Sequence, residues 1–266
     1  MRKRFKILIA MGVALLVLAA VAYWRVQPRT FDDVRKENLL RVATEYSAQG
    51  FVVNGSDTSG FQYELLKAFA DTLGVGVQFV VEPDLNKNVE GLNSGAYDLI
   101  MKLLPITTEL KDEVSFSLPI AKNNLVLVQR KPTKTDPHTL VRDVAALDGK
   151  TIYLPAGSPD ALVLRHIDEE LGIALRIEYL PDIDTEHLLA MVARGKIRFV
   201  AADLSAAQAV KRFYPQLDSD TQLGFDQWRA WAFPAKEQEL RNRFDSWFAA
   251  FKATDAYSQL LRKYHN

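Results

Sequence analysis

Two stretches of this 266-residue chain carry the same punctuation at the same distance. Leu73-Gly74 recurs as Leu171-Gly172, and Pro83-Asp84 recurs as Pro181-Asp182, both shifted by 98 residues; Gly95 recurs as Gly195, shifted by 100. The pattern between these marks repeats as well. "LLRVAT" (39–44) reads as a strand, and Phe61, Leu65, Phe69 and Leu73 form one helical stripe ended by Gly74. The strand "VGVQFVVE" follows, then a helix ending near Gly95, then the strand "YDLIMKLL". From Gly149 the order returns: "KTIYLP", a helix from about Ser158 to Leu171, "ALRIEYL", a helix ending near Gly195, and "IRFVAAD". Two strand–helix–strand–helix–strand units at a constant offset predict two similar α/β lobes, and the alternation predicts parallel sheets. A single doubly wound domain with coincidental spacing is the alternative, but each half has the size of a small domain, which favours two lobes. Ligands of open sheets sit beyond the carboxyl ends of the strands. Two facing lobes therefore predict a cleft that closes by hinge motion.

Composition narrows the function. The chain is 48% hydrophobic, enough for real cores. Its formal net charge is zero, so no nucleic-acid surface is expected. It has no cysteine, which excludes disulfides, thiolate metal sites and a cysteine nucleophile, and fits an oxidising compartment.

The N-terminus predicts export. "MRKRFK" is basic, and Ile7 to Trp24 is 18 residues without a charge, just long enough to cross a bilayer. The basic flank puts the N-terminus in the cytoplasm and residues 25–266 outside, in the periplasm. Residues 1–24 then act as an uncleaved signal anchor in the inner, cytoplasmic membrane, with Tyr23-Trp24 at the interface, or as a signal peptide cut near Ala22 after Ala20-Val21-Ala22. The length of the apolar run favours the anchor. Few residues precede the span, so no cytoplasmic output domain is expected. The exported part carries a formal charge of −4, and residues 25–37 read as a linker.

Seven segments then take on a joint meaning. They are "LRVATE" (40–45), "GFQYELLKAFADTLG" (60–74), "YDLI" (97–100), "ITTELKDEVSFSLPI" (106–120), "LDGKTIYLPAGS" (147–158), "FVAADLSAA" (199–207) and "FKATDAYSQLLRKY" (251–264). In this order and spacing the chain resembles the periplasmic solute-binding proteins of family 3, the polar amino-acid type of the type 2 periplasmic binding fold. It is also similar to the non-catalytic N-terminal domain of the membrane-bound lytic transglycosylase F family. The resemblance covers roughly residues 38–264. It implies a two-lobed α/β fold: lobe 1 from 38–119 plus 230–266, lobe 2 from 125–224, and hinges at 120–124 and 225–229.

The resemblance also implies a site. In the family an arginine directly after "T-x-E" forks the ligand α-carboxylate, a planar bidentate task suited to guanidinium. Here that position is Leu110, and Thr107 opens the run. Lys111 belongs to the next position and points elsewhere. Leu103 and Pro105 occupy the places of the usual threonine and glycine, and Pro105 has no N–H to donate. Other parts persist. Asp203 matches the acid that holds the ligand ammonium, although it can equally cap the helix that begins at Leu204. Glu45 matches a second acidic cleft position and can also be a solvated strand-end acid. Ser158, after Gly157, sits at a helix N-terminus that can hold an anion or simply be capped. Tyr46, Lys102 and Trp228 fall near the cleft by position; Lys102 can be a surface residue, and Trp228 can be hinge packing rather than a stacking platform. Acids that face a cation are kept and the carboxylate clamp is lost, so standard α-amino acids are expected to bind weakly or not at all.

No catalytic pattern competes with this reading. His138, His166, His187 and His265 are scattered, and no metal, triad or phosphate-loop spacing is present. "DIDTEH" (182–187) reads as the acidic first turn of a helix rather than a cation site. The resemblance to the transglycosylase stops before its catalytic domain. No enzyme activity, cofactor or metal is expected. The expected partners are a small polar ligand and an ABC permease or a cell-wall enzyme. The functional alternatives are a tethered transport receptor, a ligand-sensing or regulatory module for a cell-wall or membrane partner, and a pure interaction scaffold.

Overall fold

A computed structural model describes residues 27–47, 50–55, 57–181 and 183–265. The expected membrane span at 7–24 lies outside them. Among the described residues no helix is long and apolar enough to cross a membrane.

The duplicated units fold into duplicated sheets. In the first, β1 (Leu39–Thr44) lies between β4 (Gly76–Val81) and β5 (Leu99–Pro105), parallel to both. The helices α2 (Phe61–Leu73) and α3 (Leu85–Asn93) make the crossovers. In the second, β9 (Thr151–Pro155) lies between β10 (Arg176–Leu180) and β11 (Val200–Asp203), again parallel, with α5 (Asp160–Leu171) and α6 (Thr185–Ala193) as crossovers. The shared punctuation has a physical cause. Gly74 and Gly172 end α2 and α5 in the left-handed region, at φ 67° and 62°, where a side chain would be strained. Asp84 caps α3 by accepting from the N–H of Asn86 and Lys87. Asp184 caps α6 through the N–H of His187, so "DIDTEH" does serve as a helix start.

The sheets are mixed, not parallel as the alternation predicts. After α4 (Thr108–Glu113), β6 (Val114–Phe116) and β7 (Ala121–Asn123), the chain crosses to the second sheet as β8 (Leu125–Arg130), antiparallel to β11. After α7 (Leu204–Lys211) and β12 (Leu217–Gln222) it returns as β13 (Gln227–Pro234), antiparallel to β5, β6 and β7. Both reversed strands enter their sheet from the other lobe, so they meet it from the opposite end. The strand orders are β4-β1-β5-β13-β6 and β10-β9-β11-β8-β12.

Two local expectations are corrected. Residues 25–37 are not all linker: Phe31–Glu37 is a helix, α1, whose Thr30 and Asp33 form a capping box. Phe31 and Val34 are buried in the first lobe's main core. Arg29 bonds both carboxylate oxygens of Asp98, at 3.0 and 2.8 Å, and Asp98 accepts the Arg41 N–H at 2.7 Å. The loop after β1 contains a hairpin, β2 (Val52–Asn54) and β3 (Asp57–Ser59), too short and polar to read from sequence.

Each sheet is covered on both faces. On the first, α2 and the last two helices, α8 (Glu239–Phe251) and α9 (Asp255–His265), bury an aromatic cluster against Trp231 and Phe233 of β13. Phe244 is its hub, with ring centroids of Phe69, Trp231 and Phe248 at 5.2, 5.0 and 5.4 Å. The opposite face packs Val89, Leu92 and Leu110 on Ala43 and Ile100. We predict that Phe244→Ala costs about 3–5 kcal/mol, read as a lower urea midpoint with unchanged slope. Phe213→Ala, at an 81% exposed position, should cost less than about 0.5 kcal/mol; equal losses would show that Phe244 is not a core hub.

Candidate functional site

The candidate site lies where the carboxyl ends of the parallel strands of the two sheets face each other. Leu110 decides its character. It is buried at 4% exposure among Ala43, Val89, Leu92, Ile100, Leu104 and Val114. Leu162, from α5 of the second lobe, packs against this same cluster. The position that the resemblance gives to a carboxylate-binding arginine is thus part of an apolar layer, and the second lobe touches it. Thr107 is the N-cap of α4, and its Oγ accepts from the Leu110 N–H at 3.3 Å.

The two lobes also meet backbone to backbone. Gly157, at φ +74°, sits so close to the β4–α3 loop that an added Cβ would lie 2.6 Å from the Pro83 carbonyl oxygen and the Asp84 Cα. Only glycine permits that approach. Beside it, Ser158 Oγ accepts the Asp160 N–H at 3.3 Å, and the Ser158 N–H goes to the Pro155 carbonyl at 3.2 Å. Ser158 therefore braces the start of α5 from within.

Lys102 is buried in β5, not on the surface, at 1% exposure. Its Nζ is held between the residues that follow β1 and β4. There it lies 3.2 Å from Glu45 and donates to the Pro83 carbonyl at 3.0 Å. Glu45, half-exposed at the end of β1, is the acid this cation pairs with.

The central feature was not singled out by sequence reasoning. Arg229 of β13, opposite Pro105 in register, is 2% exposed. Its Nη2 bonds Asp160 Oδ1 of α5 at 2.7 Å and lies 3.9 Å from Asp203 Oδ1. Its Nη1 donates to the Leu103 carbonyl at 3.4 Å, while Nε is buried without a partner. Asp203 begins α7 but makes no capping bond; its side chain accepts from Asn123 Nδ2 of β7. Of the residues named from sequence, the structure therefore gathers Glu45, Lys102 and Asp203 around the contact between lobes, and adds Asp160, Asn123 and Arg229. The available signal was the lone charge inside the apolar run "WRAWAFP" (228–234).

Tyr46 and Trp228 stay outside this cluster. Tyr46 is 61% exposed and stacked on Phe51 at 5.9 Å. Trp228 is 56% exposed, with Lys122 Nζ 5.8 Å from its ring, so it is neither packed hinge nor part of the buried network.

The electrostatics follow the crowding. Burial first, then the neighbouring Asp160, push the Asp203 carboxyl up to about 6, against the pull of Arg229 and Asn123. Burial opposes the Arg229 charge, but Asp160 and Asp203 outweigh it and raise its pKa further. Asp98, buried under Arg29, is likewise raised to about 6. A carboxyl raised in the folded state takes up protons that the unfolded chain has already lost. Its stabilising contribution is complete below the ordinary value of 3.8 and lost as pH rises through about 6. Thermal midpoints measured from pH 4 to 7.5 should therefore include a falling contribution from Asp203, and Asp203→Asn should flatten the curve over that window. A variant curve parallel to the wild type would refute this.

Comparison with known proteins agrees with the geometry. The family model for bacterial extracellular solute-binding proteins, family 3, matches residues 40–266. A membrane-bound lytic murein transglycosylase F of Shewanella woodyi is 30% identical over 206 residues, which are 77% of this chain and 41% of that protein. The enzyme of the same name from Desulfosudis oleivorans is 25% identical over 258 residues, 97% of this chain and 55% of that one. The chain thus spans about half the length of the curated relatives it matches. Among solved structures, an ancestral arginine-binding protein bound to arginine superposes with a TM-score of 0.72 at 22% identity, covering 86% of this chain and 99% of that one. The solute receptor for L-cysteine of Neisseria gonorrhoeae superposes at 0.73 and 23%, covering 89% and 94%. At these identities the likeness is one of fold. The family match over most of the chain, on a two-lobed scaffold with a charged contact between lobes, makes this chain a member of the bacterial extracellular solute-binding proteins, family 3.

Proposed function

We propose that this protein is a membrane-tethered, extracytoplasmic solute-binding protein that captures a small polar ligand between its lobes and passes it to an ABC-type transporter. Lobe 1 comprises 38–119 with 230–266, lobe 2 comprises 125–224, and the segments 120–124 and 225–229 act as hinges. The ligand is not a standard α-amino acid. One observation carries this last point: Leu110 is buried in an apolar layer that Leu162 joins from the other lobe. The solved relatives above bind arginine and cysteine, ligands with an α-carboxylate. Here such a carboxylate would find Leu110 in place of the arginine fork and the Arg229 guanidinium already held by Asp160, and a poorly paired buried charge costs several kcal/mol. Glu45, Tyr46, Lys102, Thr107, Ser158, Asp203 and Trp228 remain the proposed ligand-facing set; Glu45 and Lys102 already pair with each other, and Asp203 with Asn123. No chemistry is proposed, since none of these groups is arranged as nucleophile and base.

A second reading is favoured by the curated relatives, in which a region like this one makes up about half of a murein transglycosylase. In it the chain is a ligand-sensing or regulatory module, or a scaffold, for a cell-wall or membrane partner, with no transport role.

Calorimetric titration of the exported part against the twenty amino acids should show no binding at micromolar affinity; one such binder would reject the ligand assignment. Native mass spectrometry of the purified protein should then reveal a retained small molecule on the transport or sensing reading. A protein that stays empty, and whose scattering profile does not change on adding cell extract, would leave the scaffold reading.

A further inference from the structure

We infer that Arg229 is a built-in occupant of the cleft: from β13, where the hinge segment joins the first sheet beside Pro105, it reaches to Asp160 and Asp203 of lobe 2 and latches the lobes closed with no ligand present. This regulation rests on the cleft being the ligand site, as proposed above.

The geometry has three parts. First, the pair is a true bridge between lobes. Arg229 belongs to β13 of the first sheet, and Asp160 opens α5 of the second lobe, 2.7 Å away. Second, Arg229 holds a cation where a ligand cation would go. Asp203 is the acid that the family resemblance aligns with a ligand ammonium, and a guanidinium nitrogen of Arg229 already lies 3.9 Å from it. Asn123, on the crossing strand β7, takes up the same carboxylate. Third, the two lobes touch each other directly around this pair. Gly157 rests against Pro83 and Asp84, Leu162 lies on the Leu110 cluster, and Lys102 ties Glu45 to the Pro83 carbonyl.

The consequence concerns what a ligand must do. In a cleft that is open and empty at rest, the ligand supplies the contacts that bring the lobes together. Here the protein supplies both charges of the central contact itself. A ligand must first break the Arg229–Asp160 bond, so it competes with an internal group rather than filling a vacancy, and its apparent affinity falls by the fraction of molecules found open. A simple amine has little to offer, because its place before Asp203 is taken. A ligand that opens the latch must carry an acidic group for Arg229 in exchange for Asp160.

The chain has no cysteine, so spin labels can be placed at will. Lys87 of α3 and His166 of α5 are exposed and sit on elements that face each other across the lobe contact. The full chain with Lys87→Cys and His166→Cys, refolded from guanidinium chloride to strip any carried solute, is measured by pulsed dipolar spectroscopy in buffer alone. The expected result is a single short distance. Adding Asp160→Asn should raise the long-distance fraction by about tenfold or more, and Arg229→Gln should do the same. If the buried Arg229→Gln variant fails to fold, as judged by circular dichroism, the milder Asp160→Asn decides. A ligand-free wild type found mostly at long distance would overturn the latch, as would an Asp160→Asn distribution that coincides with the wild type. Because no ligand enters the measurement, a protein that binds nothing in titration leaves this result intact, and a broken latch leaves the transport reading open.

Discussion

The architecture turns on one ion pair, Arg229 with Asp160. It joins the two sheets at their carboxyl ends and lies deep enough that the guanidinium is out of water. A buried pair of this kind contributes little net stability, because desolvation offsets most of the attraction. Its force lies in the alternative. Taking away one partner leaves the other uncompensated, at a cost of about 3–5 kcal/mol. The neighbouring side chains adjust to this. Burial and then the neighbouring Asp160 raise the Asp203 carboxyl to about 6, Asn123 braces it, and Lys102 answers Glu45.

An apolar layer runs beside this polar network. Leu110 closes one face of the first sheet, and Leu162 lies across it from the second lobe. Leu110 is built into the packing, and a charge at its position would have to leave a core.

Much of the fold was legible because local chemistry repeats with the fold. Glycines at 74 and 172 and aspartates that cap α3 and α6 mark equivalent corners in both lobes, and the stripe from Phe61 to Leu73 names its own helix. The strand directions of β8 and β13 were not legible, because antiparallel entry depends on the chain arriving from the other lobe and leaves no mark in hydropathy. Nor was α1, whose polar spacing looks like a linker until Phe31 and Val34 meet the core. The site was legible by halves. Glu45 and Asp203 end strands β1 and β11, so topology alone delivers them to the cleft. Arg229 and Asp160 acquire meaning only from each other, across 69 residues, and no periodicity links them. Lys102 looked like a surface residue because sequence does not tell how far a lysine stem can run before its charge finds a carboxylate.

The helix α1 bears on how motion in this molecule can be felt elsewhere. Arg29, Phe31 and Val34 fasten the start of the described chain to lobe 1, and at the other end Tyr264 and Lys263 fasten α9 to the same lobe through Gly60 and Glu64. Along the chain, lobe 2 is reached by the two crossings. Both ends of the described chain are thus mounted on lobe 1, and a partner that senses the contact between the lobes must touch lobe 2 or the gap beneath it.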